Sequence, residues 1–89
     1  MKSVMQSGKK CYYCNSTYNL EKHHCLFGTA NRKKAEQDGL WVWLCHDCHQ
    51  GVHNQNTYAK ESLQKKAQFQ YEIMHSREEF IERYGKSYL

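Results

Sequence analysis

Two cysteine pairs at C-x2-C spacing, Cys11-Tyr-Tyr-Cys14 and Cys45-His-Asp-Cys48, constrain this chain more than any other feature. Each pair can close a tight turn that presents two sulfurs to one tetrahedral ion, and four thiolates complete a structural zinc site. The chain has 89 residues, a length at which a hydrophobic core alone buries too little surface to give much stability. A metal staple is the expected complement. Thirty residues lie between Cys14 and Cys45, so the ion would tie the entry of that unit to its exit. Four unrelated buried cysteines is the competing reading, and the paired spacing argues against it. The fifth thiol, Cys25, follows two histidines and precedes Leu26 and Phe27, a setting that suits a small buried hydrophobe.

Zinc thiolates need a reducing compartment, and the composition agrees with one. No stretch approaches the ~20 apolar residues of a spanning helix, and no apolar segment of a secretory signal follows the N-terminal lysine. The expectation is a cytoplasmic protein with no membrane partner, where cysteines at short spacing mean metal more often than disulfide. Mean hydropathy is -0.98. The formal charge is +4, and four thiolates with one dication lower it to +2, so global charge alone does not establish a nucleic-acid partner. The placement of the cations says more: Lys9 and Lys10 flank the first cysteine pair, and Arg32, Lys33 and Lys34 cluster mid-chain. Lys60, Lys65 and Lys66 read as a solvated face.

Residues 1–8 are polar, aperiodic and expected to fray. The zinc-bound core is placed at residues 9–56 and a helical extension packed on it at 57–89. Thr17 to His24 and Leu40 to Leu44 read as strands. The connection between them could hold a short helix from Asn31 to Asp38, capped by Asn31 and closed by Gly39. A second short helix is expected over 45–56. From Thr57 the residues favour helix, with Ala59, Leu63, Ala67, Phe69, Ile73 and Met74 as an irregular apolar face. Ser76 and Glu79 form a capping box, which predicts a break near His75 and a last helix ending at Gly85. The class is α+β.

Four of the six histidines fall in two compact motifs, Glu21-Lys-His23-His24 and His49-Gln-Gly-Val-His53. An i, i+4 pair lies on one helix face, so His49 and His53 can bind one ion together. His23 or His24 can supply a third ligand if zinc brings the strand end against the helix. The other would stay free of metal, able to accept a proton. His46 and His75 read as surface histidines, with His46 an alternative zinc ligand.

This combination resembles the HNH nucleases, whose ββα-metal fold is a two-stranded hairpin followed by a helix clasping one divalent ion. The matching elements are Cys11-x2-Cys14, His23-His24, Cys45-x2-Cys48-His49 and His49-x3-His53, together spanning about half the chain. The Glu-x-His-His and His-x3-His pieces are similar to colicin-type DNases. The stretch from the double histidine to Gly51-Val52-His53 resembles small phage HNH proteins, including the nuclease domain of RecA-dependent recombination-enhancement nucleases. The resemblance implies His24 as general base, His23, His49 and His53 as ligands of the catalytic ion, and Glu21 as a carboxylate behind them or an extra ligand. HNH proteins usually have an asparagine shortly before the second cysteine pair, where this chain has Leu40; Asn31 or Asn54 would substitute.

The activity so implied is hydrolysis of DNA phosphodiesters to 5′-phosphate and 3′-hydroxyl ends, by a phage or prophage enzyme in a bacterial host. Arg32 could neutralise the phosphate. Magnesium is the expected physiological ion, although a site rich in imidazole should prefer manganese, nickel or zinc. The expected partners are DNA and a RecA-like filament, for a monomer or weak dimer. Two other classes compete: a zinc-dependent DNA-binding module with Trp41 and Trp43 as a stacking platform, and a protein-interaction module built on the C-terminal helices.

Overall fold

A computed structural model of the protein describes residues 1–54 and 57–89. Its elements are β1 (Leu20–His24), α1 (Thr29–Asp38), β2 (Trp41–Cys45), α2 (His46–Asn54), α3 (Thr57–Met74) and α4 (Arg77–Tyr84). The strands pair antiparallel, from Leu20 opposite Cys45 to His24 opposite Trp41. Chain order is thus strand, helix, strand, helix, then two further helices: a small α+β domain. Among the described residues no helix is long and apolar enough to cross a membrane.

Local chemistry explains most of the boundaries. The first strand is shorter than expected, beginning at Leu20, because Asn15 and Asn19 take left-handed backbone angles of 63° and 49° that end extended pairing before it. The helix in the connection starts at Thr29, so Asn31 lies inside its first turn and is not its cap; Gly28 holds that position with no side-chain hydrogen bond. Gly39 closes it in the left-handed conformation. A Cβ on Gly39 would stand 2.5 Å from the Lys2 carbonyl oxygen, so glycine is required by crowding as well as by φ. At the other end of the chain, Ser76 and Glu79 form both bonds of the capping box expected there, which is worth about 1 kcal/mol. The expected helix over 45–56 is α2, whose last two expected residues lie outside the described ones.

Residues 1–8 depart from expectation. Far from fraying, they run along β2: Val4 N–H donates to the Gly39 carbonyl (2.9 Å), Ser3 Oγ to that of Trp41, and Trp43 N–H to Gln6 Oε1 (2.9 Å). Tyr12 N–H adds a bond to the Trp43 carbonyl (2.8 Å). A two-stranded sheet leaves the second edge of β2 unpaired, and this segment satisfies it.

The core joins both halves of the chain. Leu26, Leu40, Val42 and Leu44 from the hairpin region are fully buried with Leu63, Ala67 and Phe80 from α3 and α4, each large side chain contributing about 1.5–3 kcal/mol. On α3 the buried face is Ala59, Leu63, Ala67 and Tyr71, an i, i+4 ladder, with Gln68 beside it. Phe69, Ile73 and Met74, expected on that face, are exposed. Phe69 and Ile73 lie off the ladder, and Met74 ends the helix. Arg83 grips Asp38 through Nε (2.6 Å) and Nη2 (3.1 Å), and Lys34 Nζ donates to the Arg83 carbonyl (2.7 Å), so α4 is fastened to α1.

Candidate metal centres

The two cysteine pairs meet where the hairpin passes into α2. One ligand atom from each of Cys11, Cys14, Cys45 and Cys48 lies within 4.8 Å of all the others, and the four could hold a zinc ion. Cys14 Sγ and Cys45 Sγ are 3.6 Å apart, close to the ~3.8 Å edge of a tetrahedron with 2.3 Å zinc–sulfur arms. Burial pushes the Cys11 thiol up, but backbone N–H groups of Cys14, Cys45 and Tyr13 outweigh it and hold its pKa at about 6. Burial, and then the neighbouring sulfurs, push Cys48 up. A dication held at the centre would replace that crowding with attraction. Cys25 stands apart, fully buried, its thiol pushed up by burial, as suits a small hydrophobe.

A second cluster lies one residue further along α2. His23, His49 and His53 each bring a ring nitrogen within 4.8 Å of the others. His49 Nε2 and His53 Nε2 are 3.0 Å apart, where nitrogens sharing one ion with arms of about 2.1 Å stand roughly 3.0–3.4 Å apart. His23 is 1% exposed, and neither of its ring nitrogens has a hydrogen-bond partner among the described residues. A buried, unpartnered imidazole is costly, and an ion at this point would engage the lone pair of one of its two nitrogens. Burial, then the charges of His49, His53 and His24, push the His23 pKa down to about 3, so the ring is neutral, as a ligand must be.

Behind these three, Glu21 accepts from His49 Nδ1 (2.7 Å) and His46 Nδ1 (3.1 Å). Because a carboxylate only accepts, His49 carries its hydrogen on Nδ1 and offers Nε2 to the cluster. His46, the alternative zinc ligand, thus has its Nδ1 on Glu21 and is not part of the four-cysteine group. Phe27 stacks on His53 at 5.4 Å and 15°, and Lys60 Nζ sits 4.7 Å over the Phe27 ring. Burial first, then His49, Lys60 and Arg32, lower the His53 pKa.

His24 does not join the cluster. Adjacent strand residues face opposite sides, so His23 points toward α2 while His24 Nε2 meets Glu36 Oε1 on α1 at 2.9 Å. Both nevertheless border one cleft of about 250 Å³, together with His49, His53, Phe27 and Arg32. Asn31 does not border that cleft, contrary to its expected catalytic place: its amide Nδ2 donates to the Tyr84 carbonyl (3.3 Å), which fixes α1 to α4. Asn54, the alternative, bonds Gln50 Oε1 (2.9 Å). Trp41 is buried and Trp43 half-buried, with Lys22 4.2 Å over the first ring and Lys9 4.9 Å over the second. His75 stacks on Tyr71. Glu36, on His24, and Lys60, over Phe27, join the site through tertiary contacts that sequence spacing does not show, while Phe27 also meets His23 four positions before it.

Compared with protein-family models, curated proteins and solved structures, the chain matches none of them.

Proposed function

We propose that this chain is a divalent-metal-dependent endonuclease of the HNH kind, hydrolysing DNA phosphodiester bonds, with its hairpin and α2 as the ββα-metal unit. The observation that carries the reading is His23: a buried imidazole without a hydrogen-bond partner, gathered with His49 and His53 beside a fourth histidine that lies outside the cluster. A purely structural zinc domain has the cysteine site for its stability and needs no second histidine site next to an open cleft.

His23, His49 and His53 would hold the ion, with Glu21 fixing the His49 ring. When bound, a magnesium, manganese or nickel ion supplies Lewis-acid stabilisation to the scissile phosphate and the leaving 3′ oxygen. His24 takes a proton from the attacking water as the new phosphorus–oxygen bond forms. The bond to the 3′ oxygen breaks, solvent returns a proton to it, and the products are a 5′-phosphate and a 3′-hydroxyl. Arg32, on the same cleft, neutralises a phosphate oxygen. Asn31 has no part in this scheme.

Supercoiled plasmid incubated with purified protein tests the reading directly. Nicked or linear DNA should appear with a divalent ion and vanish with chelator. Intact plasmid with magnesium, manganese, nickel and cobalt alike would end it in favour of a binding module.

A further inference from the structure

Glu36 belongs to none of the motifs that point to a nuclease, yet it makes the polar contact that most restricts the proposed base. It projects from α1, twelve residues beyond His24, and its Oε1 lies 2.9 Å from His24 Nε2. The carboxylate is itself held in place. Lys22 Nζ reaches its two oxygens at 3.2 and 3.4 Å and the chain's amino group lies 3.5 Å from Oε2. Lys22 in turn is pinned 4.2 Å over the Trp41 ring. The His24 side chain is 16% exposed and that of Glu36 37%, so water competes more for the carboxylate than for the ring.

A neutral imidazole has one N–H and one lone pair, and whatever partners one nitrogen decides the task of the other. A carboxylate accepts and cannot donate. We infer that Glu36 is the positioning residue for His24, which borders the cleft: it accepts the Nε2 hydrogen, holds the ring in one tautomer and leaves Nδ1 as the lone-pair nitrogen. The catalytic half of this inference rests on the nuclease reading; the tautomer half does not. Glu36 touches neither the three clustered histidines nor the cysteine site, so removing it acts on His24 without removing a ligand.

The test joins nitrogen NMR of the His24 ring to kinetics in the full chain with its zinc bound. In the wild type the ring nitrogens should report one tautomer, with the hydrogen on Nε2 and protected from exchange. Glu36→Ala should give a tautomer mixture and lose that protected hydrogen, while Lys22→Met, which leaves the His24 contact intact, should keep both. Plasmid cleavage by Glu36→Ala should lose on the order of tenfold to a hundredfold in kcat, part of the roughly 10²–10⁴-fold that a positioned general base supplies, with KM for DNA and the half-saturating manganese concentration unchanged. Glu36→Gln keeps an acceptor oxygen and should recover part of the loss. A wild-type hydrogen on Nδ1, ring shifts identical in Glu36→Ala, or a wild-type kcat in that variant would each overturn the inference. A wild type that never cuts, while its NMR signature still depends on Glu36, would overturn the nuclease reading and leave the histidine–carboxylate pair standing.

Discussion

The cysteine and histidine clusters share one helix and differ in almost everything else. Cys45 and Cys48 sit at the junction of β2 with α2, and His49 and His53 occupy the next turn. Four sulfurs close a tetrahedron and leave no position for anything but the ion. Three imidazoles do not: they stand at a cleft, backed by a carboxylate and flanked by a histidine that lies outside the cluster. The first arrangement suits a staple and the second a site that must admit substrate. Because α2 carries members of both clusters, an ion held by the cysteines would also set the position of the histidines.

That dependence should be one-directional. Cys45→Ser should release zinc and unfold most of the region from Lys9 to Asn54, since apparent zinc-binding free energies of about 10–16 kcal/mol are largely folding free energy in such small units. Circular dichroism checks this, and a sharp native-like melt in the variant would remove the zinc from its role. No histidine replacement should have an effect of that size.

On the proposed nuclease reading, the base and the ligands should fail differently. His24→Ala should keep zinc and DNA affinity while losing cleavage by roughly a hundredfold or more. His53→Ala should recover part of its activity at high metal concentration. Equal rescue of both by manganese would make His24 a ligand.

Glu21→Gln tests the carboxylate behind the cluster. It should weaken the half-saturating manganese concentration by about 10–100-fold, as loss of a ligand-orienting partner does, without changing zinc content. Unchanged manganese dependence would count Glu21 as an ordinary surface acid.

A smaller effect separates the sites by pH. The folded-state pKa of His23 lies near 3 against 6.5 for the free side chain, so between those values the unfolded chain binds the proton and the folded chain does not. The stability contributed by neutral His23 is complete above about pH 6.5 and is lost progressively as pH falls toward 3. With zinc bound and no other ion added, His23→Leu should flatten the acid limb of denaturant stability; an unaltered slope would mean that His23 is not buried in solution. Smallest of all, Arg32→Ala should weaken DNA binding about equally for all sequences and reduce its salt dependence by about one charge.

Much of this molecule is readable from short-range chemistry. The C-x2-C spacings, the i, i+4 histidines, the Ser76–Glu79 capping box and the left-handed Gly39 each concern residues within four positions of one another, so spacing and residue type determine them. The failures are also instructive. Periodicity places Phe69 and Ile73 on the buried face of α3, but that helix packs on α2 and α4, and the residues it buries are Ala59, Leu63, Ala67 and Tyr71. Residues 1–8 lack any internal pattern because their order comes from the unpaired edge of β2. Asn31 carries the right chemistry for a site, and its amide went instead to Tyr84 on α4, 53 positions away.

Spacing and residue type are enough to place four cysteines that could hold one zinc ion in a small α+β domain, and a histidine pair on one face of the following helix. Tertiary structure alone decided which of His23 and His24 joins that pair. Two adjacent strand residues are chemically identical and face opposite sides, so the choice belongs to the sheet and to what packs on each face of it. Here α2 lies against one side and α1 against the other, giving His23 two imidazoles and His24 a carboxylate.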